Sequence, residues 1–251
     1  MISYSVEGGL ATALLDRADK LNAMARPFWA DLEKVLATAE ADPEVRALIF
    51  RGAGRCFSVG GDIEGFGELV DAGDRRAYVR EALNALRAIE EFPKPTIAAV
   101  HGHALGGGCE LTIVCDIVVA DETAKFGMPE TQVGLVPGLG VARGLAQLNL
   151  HWMKYLIFTG ETIGAADARL AGLVNVVTPE GGHVEEAERL GARIAARAPL
   201  ALALGKSLLN GHVDEGYAHA IDAVAFLQGT NDQAEGIAAF EERRQPRFEG
   251  R

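Results

Sequence analysis

Cysteine is scarce in this chain and positive charge is in deficit, and each shortage excludes a class of protein. The three cysteines, Cys56, Cys109 and Cys115, form no CxxC motif and no Cys/His ligand spacing. A disulfide framework or a zinc site is therefore not expected, and reduced thiols fit a cytoplasmic location. The formal net charge of −11 argues against nucleic-acid binding and against docking on an anionic membrane, although it leaves room for an anionic ligand.

Long hydrophobic runs are absent as well. No stretch approaches about 18 uncharged apolar residues, so no membrane span is expected. Residues 1–5 lack a basic region followed by an apolar run, and we expect no signal peptide. What is present is the composition of an ordinary globular protein, with 251 residues of which 49% are hydrophobic. A chain of this length can bury a full core without metal or disulfide support.

The apolar pattern predicts alternating strands and helices. Residues 1–15 hold Gly8 and Gly9 between two apolar runs, which predicts a β-hairpin. The pattern predicts buried strands at 45–50, 96–100 and 117–120 and helices at 27–40, 74–91 and from Gly106 onward. Strand–helix–strand repeats are typical of an α/β sheet with crossover connections.

After Gly160 the pattern becomes mostly helical. We predict helices at 165–171, 184–198 and 200–209, and two more between 214 and 242. The chain is therefore expected to divide into an α/β core, residues 1–195, and a helical C-terminal region, residues 196–251.

Two glycine-rich loops stand between predicted strands and predicted helices, at residues 57–62 and 103–110. Glycine allows a backbone to approach a ligand closely, and the free N–H groups at a helix start are donors for an oxygen anion. Two such loops, if they converge, make a two-donor oxyanion hole. The alternative is that the glycines only permit tight turns and close packing. Neither loop matches a dinucleotide or phosphate-loop motif.

Two glutamates accompany these loops. Glu110 lies in the first turn of a predicted helix, where the helix dipole favours a carboxylate. Because the following residues are apolar and must be buried, Glu110 is also a plausible acid or base. Glu130 follows the third predicted strand in a turn, and its spacing alone favours an exposed loop carboxylate.

Residues 95–111, which read PTIAAVHGHALGGGCEL, closely resemble the signature of the crotonase (enoyl-CoA hydratase/isomerase) superfamily. The resemblance extends over nearly the whole chain. It continues in register at 19–24, 57–63, 115–116, 124–130, 134–138, 159–163, 171–174 and 235–244.

The resemblance implies a crotonase-like fold, a spiral of repeated ββα turns with a helical C-terminal trimerisation region. It implies an acyl-CoA thioester substrate, a homotrimer or dimer of trimers, and no metal or redox cofactor, because coenzyme A is part of the substrate. The N–H groups of Gly61 and Gly107 would form the oxyanion hole. Glu110 would act mainly as the water-activating base and Glu130 mainly as the acid.

The activity that the resemblance implies is hydration of a 2-enoyl-CoA, because both glutamates are retained. The alternatives are double-bond isomerisation, dehydration of a specialised substrate, thioester hydrolysis, or acyl-CoA binding without turnover. The substrate-contacting residues that it implies are Lys20, Leu21, Ala23, Val59, Gly60, Asp62, Ile63, Gly106, Pro129, Phe240 and Arg244.

The chain departs from the family pattern at three places. Residues 139–145 read LGVARGL, where the hydratases typically have Gly-Gly-Thr-Gln-Arg-Leu. Glu64 stands where many hydratases have a lysine for the CoA phosphates, which leaves Arg17 and Lys20 as candidates for that role. Gly61 stands where alanine is common. These changes leave the oxyanion hole and the carboxylate pair intact. The resemblance further implies that Phe240 and Arg244 close over the adenine region of CoA.

Overall fold

The chain begins with the predicted hairpin, and the later strands of the main sheet join it in parallel orientation. The computed structural model describes residues 1–210, 221–222 and 224–246. Strands β1 (Ile2–Glu7) and β2 (Leu10–Leu15) pair antiparallel, and Gly8 and Gly9 turn the chain with positive φ angles. Helix α1 (Pro27–Ala41) then leads to β3 (Ala47–Gly52), which lies parallel to β2.

The main sheet has six strands in the order β1-β2-β3-β4-β6-β9, and every pair after the hairpin is parallel. A second sheet has the order β5-β7-β8. The remaining strands are β4 (Thr96–Val100), β5 (His103–Leu105), β6 (Ile117–Asp121), β7 (Lys125–Gly127), β8 (Thr162–Gly164) and β9 (Val176–Thr178). This mixed α/β architecture confirms the predicted fold class.

Helices cover the sheets and supply the core. Besides α1, they are α2 (Ala72–Glu91), α3 (Gly107–Val114), α4 (Gly138–Gln147), α5 (Leu150–Thr159), α6 (Ala165–Ala171), α7 (His183–Ala195), α8 (Pro199–Asn210) and α9 (Asn231–Glu241). A small second core forms where α7 packs on the sheet, around Ile49, Ile97 and Val119. The parallel strands are thus buried on both faces, as their continuous apolar runs require.

Several elements and boundaries differ from the sequence prediction. Strand β3 ends two residues later than predicted because Arg51 and Gly52 still pair with β2. The short strands β5, β7, β8 and β9 were not predicted, since three residues carry too little periodicity. Helices α4 and α5 were not predicted either.

The predicted C-terminal helices are found in part. Helix α8 covers the predicted segment 200–209, and α9 lies within the predicted pair at 214–242. Residues 211–220, 223 and 247–251 lie outside the described part of the chain, and the division at residue 195 stays a prediction. Within the described ranges, no helix is long and apolar enough to cross a membrane.

A buried lysine attaches α8 to the sheet. Lys206 Nζ donates to Asp116 Oδ2 at 2.8 Å and to the Ile89 carbonyl at 2.9 Å. Asp116 in turn accepts from the backbone and the hydroxyl of Thr96, at the start of β4. Since Lys206 is 8% exposed, its charge depends on these partners.

We expect Lys206→Ala to lower the free energy of unfolding by about 2 kcal/mol, because it removes the charged hydrogen bonds to Asp116 and to the Ile89 carbonyl. Urea unfolding followed by circular dichroism measures the loss. The matched control is Lys154→Ala, at an exposed position on α5, which is expected to change stability by less than about 0.5 kcal/mol. Equal stability of the two variants would contradict the anchoring role of Lys206.

Candidate active site

The two glycine-rich loops run side by side and are joined by backbone hydrogen bonds. Ser58 N donates to the His103 carbonyl, and Leu105 N donates to the Ser58 carbonyl, both at 2.9 Å. The start of α3 packs closely against Ser58. A Cβ on Gly108 would lie 2.6 Å from the Ser58 carbonyl oxygen. Only glycine at position 108 therefore allows this approach.

The N–H groups of Gly61 and Gly107 are neighbours. The Met24 N–H donates to the Gly60 carbonyl, and the Met24 carbonyl accepts from the Asp62 N–H. The N–H of Gly61, which lies between these two residues, therefore points away from Met24. A Cβ on Gly107 would lie 3.7 Å from the Gly61 nitrogen. Neither N–H donates to another group of the described residues. Two adjacent donors of this kind are free to receive an oxygen anion.

Asn22 holds the first loop in place from beneath. Its side-chain amide donates to the carbonyls of Ala53, Cys56 and Phe57 at 2.8–3.1 Å. Its backbone carbonyl accepts from the Ser58 hydroxyl at 2.8 Å. Asn22 is 2% exposed and has a φ of +57°, a conformation that asparagine tolerates better than most residues. Asn22 lies within the motif at 19–24, but its local sequence does not predict this bracing role.

Glu110 is buried in the first turn of α3 and binds the start of another helix. Its Oε1 accepts from the N–H groups of Leu139 and Gly140 at 2.7 and 2.9 Å, in the first turn of α4. Burial raises the pKa of Glu110, whereas the two N–H donors oppose that rise. Glu110 is thus more than an ordinary N-terminal helix carboxylate, because it joins α3 to α4.

Glu130 is not the exposed carboxylate that its spacing suggested. It lies in a short 3-10 helix (Pro129–Val133), and its Oε2 is buried with no hydrogen-bond partner among the described residues. A Cβ on Gly106 would lie 3.2 Å from its Oε1, which places the carboxyl beside the second loop. Burial, together with the charge of Glu110, raises the pKa of Glu130 to about 8.

The surroundings of the two carboxyl groups favour different protonation states. Glu110 has two N–H donors for its negative charge, whereas the buried Glu130 Oε2 has none. When two buried carboxyls interact, the proton resides on the one whose anion is less well solvated. We assign the charge to Glu110 and the proton to Glu130, a pairing suited to one base and one acid.

Helix α9 supports the segment that carries Glu130. A Cβ on Gly134 would lie 2.7 Å from the Gln233 Cα, and a Cβ on Gly236 would lie 2.6 Å from the Val133 carbonyl carbon. The two backbones are in direct contact, and a larger residue at either glycine would separate them. The position of Glu130 therefore depends on the C-terminal helix.

The last two predicted contact residues lie at the far end of α9. Phe240 is 63% exposed. The Arg244 guanidinium pairs with Glu235 at 2.6 and 2.8 Å and with Glu242 at 2.6 Å. Closure of Phe240 and Arg244 over an adenine stays a prediction, and it would require Arg244 to exchange these partners.

Both cations that were candidates for the CoA phosphates are paired with acidic residues. Lys20 Nζ lies 3.0 and 3.1 Å from the two Glu64 oxygens, and Arg17 lies 2.5 Å from Asp62. A phosphate bound here would compete with these carboxylates.

The remaining predicted contact residues border the two loops. Val59 N donates to the Leu21 carbonyl, and the Ala23 carbonyl accepts from Arg17. A Cβ on Gly60 would lie 2.8 Å from the Gly107 nitrogen. Ile63 begins the 3-10 helix that follows Gly61 and Asp62, and Pro129 precedes Glu130.

Comparison with known proteins agrees with this geometry. The sequence profile of the enoyl-CoA hydratase/isomerase family matches residues 5–251. The chain belongs to this family. This result confirms the family resemblance seen in the sequence and supports an enzyme of the enoyl-CoA hydratase type.

Individual members of the family align over most of their length. A crotonyl-CoA hydratase of Syntrophomonas wolfei is 35% identical, with 96% of this chain and 95% of that protein covered. The bovine mitochondrial enoyl-CoA hydratase domain-containing protein 2 is 38% identical, with 96% and 85% covered. The crystal structure of a carnitinyl-CoA hydratase from Mycobacterium avium superimposes with a TM-score of 0.87 at 35% identity, covering 100% of this chain and 98% of that one.

The close contact at Gly108 gives a first test of the site. We expect Gly108→Ala to lower the free energy of unfolding by about 1–3 kcal/mol, because the new methyl group overlaps the Ser58 backbone. Gly205→Ala is the matched control, since a Cβ at this α8 position meets nothing within 4 Å, and alanine in a helix interior adds up to about 1 kcal/mol. If both variants gain stability in urea unfolding, the loops are not packed as described.

The raised pKa of Glu130 makes stability depend on pH. The folded protein keeps a proton on Glu130 up to a pH of about 8, whereas the unfolded chain releases it near pH 4.3. The folded state therefore loses stability as the pH rises through this window. Glu130→Gln cannot ionise, and its melting temperature should rise relative to that of the parent protein between pH 5.5 and pH 8.5. Glu33→Gln, at an exposed α1 position, should show no such trend, and a flat difference for Glu130→Gln would refute the assignment.

Proposed function

We propose that the protein is a 2-enoyl-CoA hydratase, which adds water reversibly and with syn geometry across the C2=C3 bond to give a 3-hydroxyacyl-CoA. The observation that carries the proposal is the pair of buried glutamates with unequal surroundings. Glu110 accepts two backbone N–H bonds, and Glu130 has a buried oxygen with no partner in the described chain. Hydration requires a base for water and an acid for C2, and these states fit both tasks.

The first step creates negative charge on the thioester oxygen. The Glu110 carboxylate takes a proton from water as the water oxygen bonds to C3. The electrons of the C2=C3 bond then move to the thioester oxygen and form an enolate. The fixed N–H groups of Gly61 and Gly107 would stabilise this oxygen without reorganisation.

The second step returns the electrons. As the enolate collapses to the thioester, C2 takes the proton of Glu130. Glu110 is then protonated and Glu130 ionised, and proton exchange through an incoming water restores the starting state. Every proton in this scheme moves between water, substrate and the two carboxyls, so the proposal includes no metal and no redox cofactor.

The names of relatives support hydration over the other reactions of the family. Relatives that align over at least 93% of their own length include a crotonyl-CoA hydratase and a short-chain-enoyl-CoA hydratase. A double-bond isomerisation needs only one carboxyl to move a proton between carbons. The retention of both Glu110 and Glu130 in one buried pair therefore favours the hydratase.

We propose that the protein is cytoplasmic and that it assembles as a homotrimer or a dimer of trimers. Helix α8 carries four exposed leucines, Leu200, Leu204, Leu208 and Leu209. A face of this kind is typical of a contact between subunits, which supports the assembly that the family resemblance implies.

The activity is tested with crotonyl-CoA, whose enoyl absorbance disappears on hydration. We expect the parent protein to turn over, and kcat of Glu110→Gln and of Glu130→Gln to fall at least about a hundredfold, since acid–base assistance contributes about that much. In the parent protein, kcat/KM should fall above a pH of about 8, where Glu130 loses the proton it delivers. The control Glu33→Gln should keep full activity. Inactivity on 2-enoyl-CoA thioesters of every acyl-chain length, with turnover of a 3-enoyl-CoA, would refute the hydratase proposal.

A further inference from the structure

Helix α4 supplies the two hydrogen bonds that favour the charged form of Glu110. The N–H groups of Leu139 and Gly140 belong to its first turn. Burial raises the pKa of Glu110, and these two donors oppose that rise. Three of the ten residues of α4 are glycine, the residue that, after proline, stabilises a helix least. The position of α4 must therefore come from contacts with its neighbours.

A buried ion pair provides one such contact. Arg143 lies one helical turn after the two donors, and its Nε donates to Glu90 Oε1 at 2.5 Å. Arg143 is 8% exposed and Glu90 is 6% exposed. Because buried charges have to be paired and hydrogen-bonded, the two side chains hold each other in one geometry. The contact joins α4 to the last turn of α2.

The end of α2 that carries Glu90 is in turn held by α8. The Lys206 ammonium donates to the Ile89 carbonyl at 2.9 Å, and the Asn210 amide donates to the Glu90 carbonyl at 3.1 Å. Both donors belong to α8. The carboxylate that Arg143 meets is thus carried by a fixed segment of backbone.

Helices α2 and α4 meet at a second point, which is apolar. A Cβ on Gly138, the first residue of α4, would lie 3.2 Å from Cδ2 of Leu83 on α2. An apolar contact tolerates sliding, whereas a hydrogen bond has a narrow range of distance and angle. The Arg143–Glu90 contact therefore restricts movement of α4 along α2 more than the contact at Leu83 does.

Stability alone does not explain a buried ion pair at this place. Apolar side chains of similar volume often stabilise a protein core as well or better. What the hydrogen-bonded pair adds is a defined distance between α2 and α4. A shift of α4 along α2 would lengthen both hydrogen bonds to Glu110, because Leu139 and Gly140 donate them from consecutive positions of the same helix.

We propose that Arg143 and Glu90 are positioning residues, which hold the first turn of α4 within hydrogen-bonding distance of Glu110 and so keep this carboxyl ionised. The catalytic consequence rests on the proposed hydratase function, in which Glu110 is the base. The Glu130 carboxyl and the Cys109 thiol also interact with Glu110. Substitutions at positions 90 and 143 leave both of these groups in place.

The test follows kcat/KM for crotonyl-CoA from pH 5 to pH 9. In Arg143→Met the acid limb, where Glu110 takes up a proton, should move up by about one pH unit, because the carboxylate loses donors that favour its charged form. Arg143→Lys keeps a cation beside Glu90 and should restore the limb of the parent protein. The matched control is Arg26→Met, which breaks an exposed ion pair with Glu81 on the same helix α2 and should leave the limb in place. An unchanged limb in Arg143→Met would overturn the proposal.

A double substitution covers the case in which Arg143→Met folds poorly, because that variant leaves the Glu90 carboxylate buried without the Arg143 cation. Adding Glu90→Leu removes this charge and fills the space with apolar atoms. Stability in urea unfolding should then recover towards that of the parent protein, whereas the acid limb should stay displaced. If the folded double variant regains the limb of the parent protein, the buried carboxylate and not the position of α4 moved it, and the positioning role is refuted.

A titration without substrate separates this proposal from the hydratase proposal. The amide proton resonances of Leu139 and Gly140 report the ionisation of Glu110, since both N–H groups donate to it. In a heteronuclear NMR titration we expect the midpoint to lie about one pH unit higher in Arg143→Met than in the parent protein. If the parent protein hydrates no 2-enoyl-CoA but this midpoint moves, the hydratase proposal fails and the positioning role stands. If hydration occurs and the midpoint is unchanged, the positioning role is refuted.

Discussion

The pairing of the two glycine loops at Ser58 is the constraint on which the rest of the site depends. Because Ser58 exchanges backbone hydrogen bonds with His103 and Leu105, the Gly61 and Gly107 N–H groups are fixed relative to one another before any ligand arrives. The pairing is possible only where side chains are missing, as the contact between Gly108 and Ser58 demonstrates. Donors placed in advance need no reorganisation when charge develops on a ligand.

The carboxylate pair has an energetic cost that the surrounding fold offsets only in part. Glu110 receives two N–H donors from α4, but the Glu130 Oε2 has no partner in the described residues. A buried polar atom without a partner destabilises the folded state, and such an atom is common where a ligand supplies the missing bond. The packing of α9 against the Glu130 segment, backbone to backbone at Gly134 and Gly236, keeps this unfavourable carboxyl in place.

Much of the fold could be predicted from the sequence, because long helices and buried strands carry strong periodicity. The hairpin, α1, α2 and β4 lie where the apolar pattern indicated, and both glycine loops were recognised from their glycines between predicted strands and helices. The protonation states of the glutamates could not be predicted. Glu130 follows a short strand in a polar-looking turn, and the groups around its carboxyl, Gly106 and Glu110, come from the second glycine loop and α3. Asn22 was missed for the same reason, since its three carbonyl partners lie more than thirty residues away.

Several contacts of the site are made by backbone groups, so the chain can depart from the family sequence and keep the same arrangement of the site. Residues 139–145 differ from the usual hydratase sequence, yet Leu139 and Gly140 bind Glu110 through their N–H groups, which most residues can provide. The proposed oxyanion donors are backbone groups too, so alanine or glycine at position 61 supplies the same N–H. What a change at position 61 alters is the space above it, which here the Phe66 ring occupies. Substitutions around such a site can therefore change the space beside it while the backbone donors stay the same.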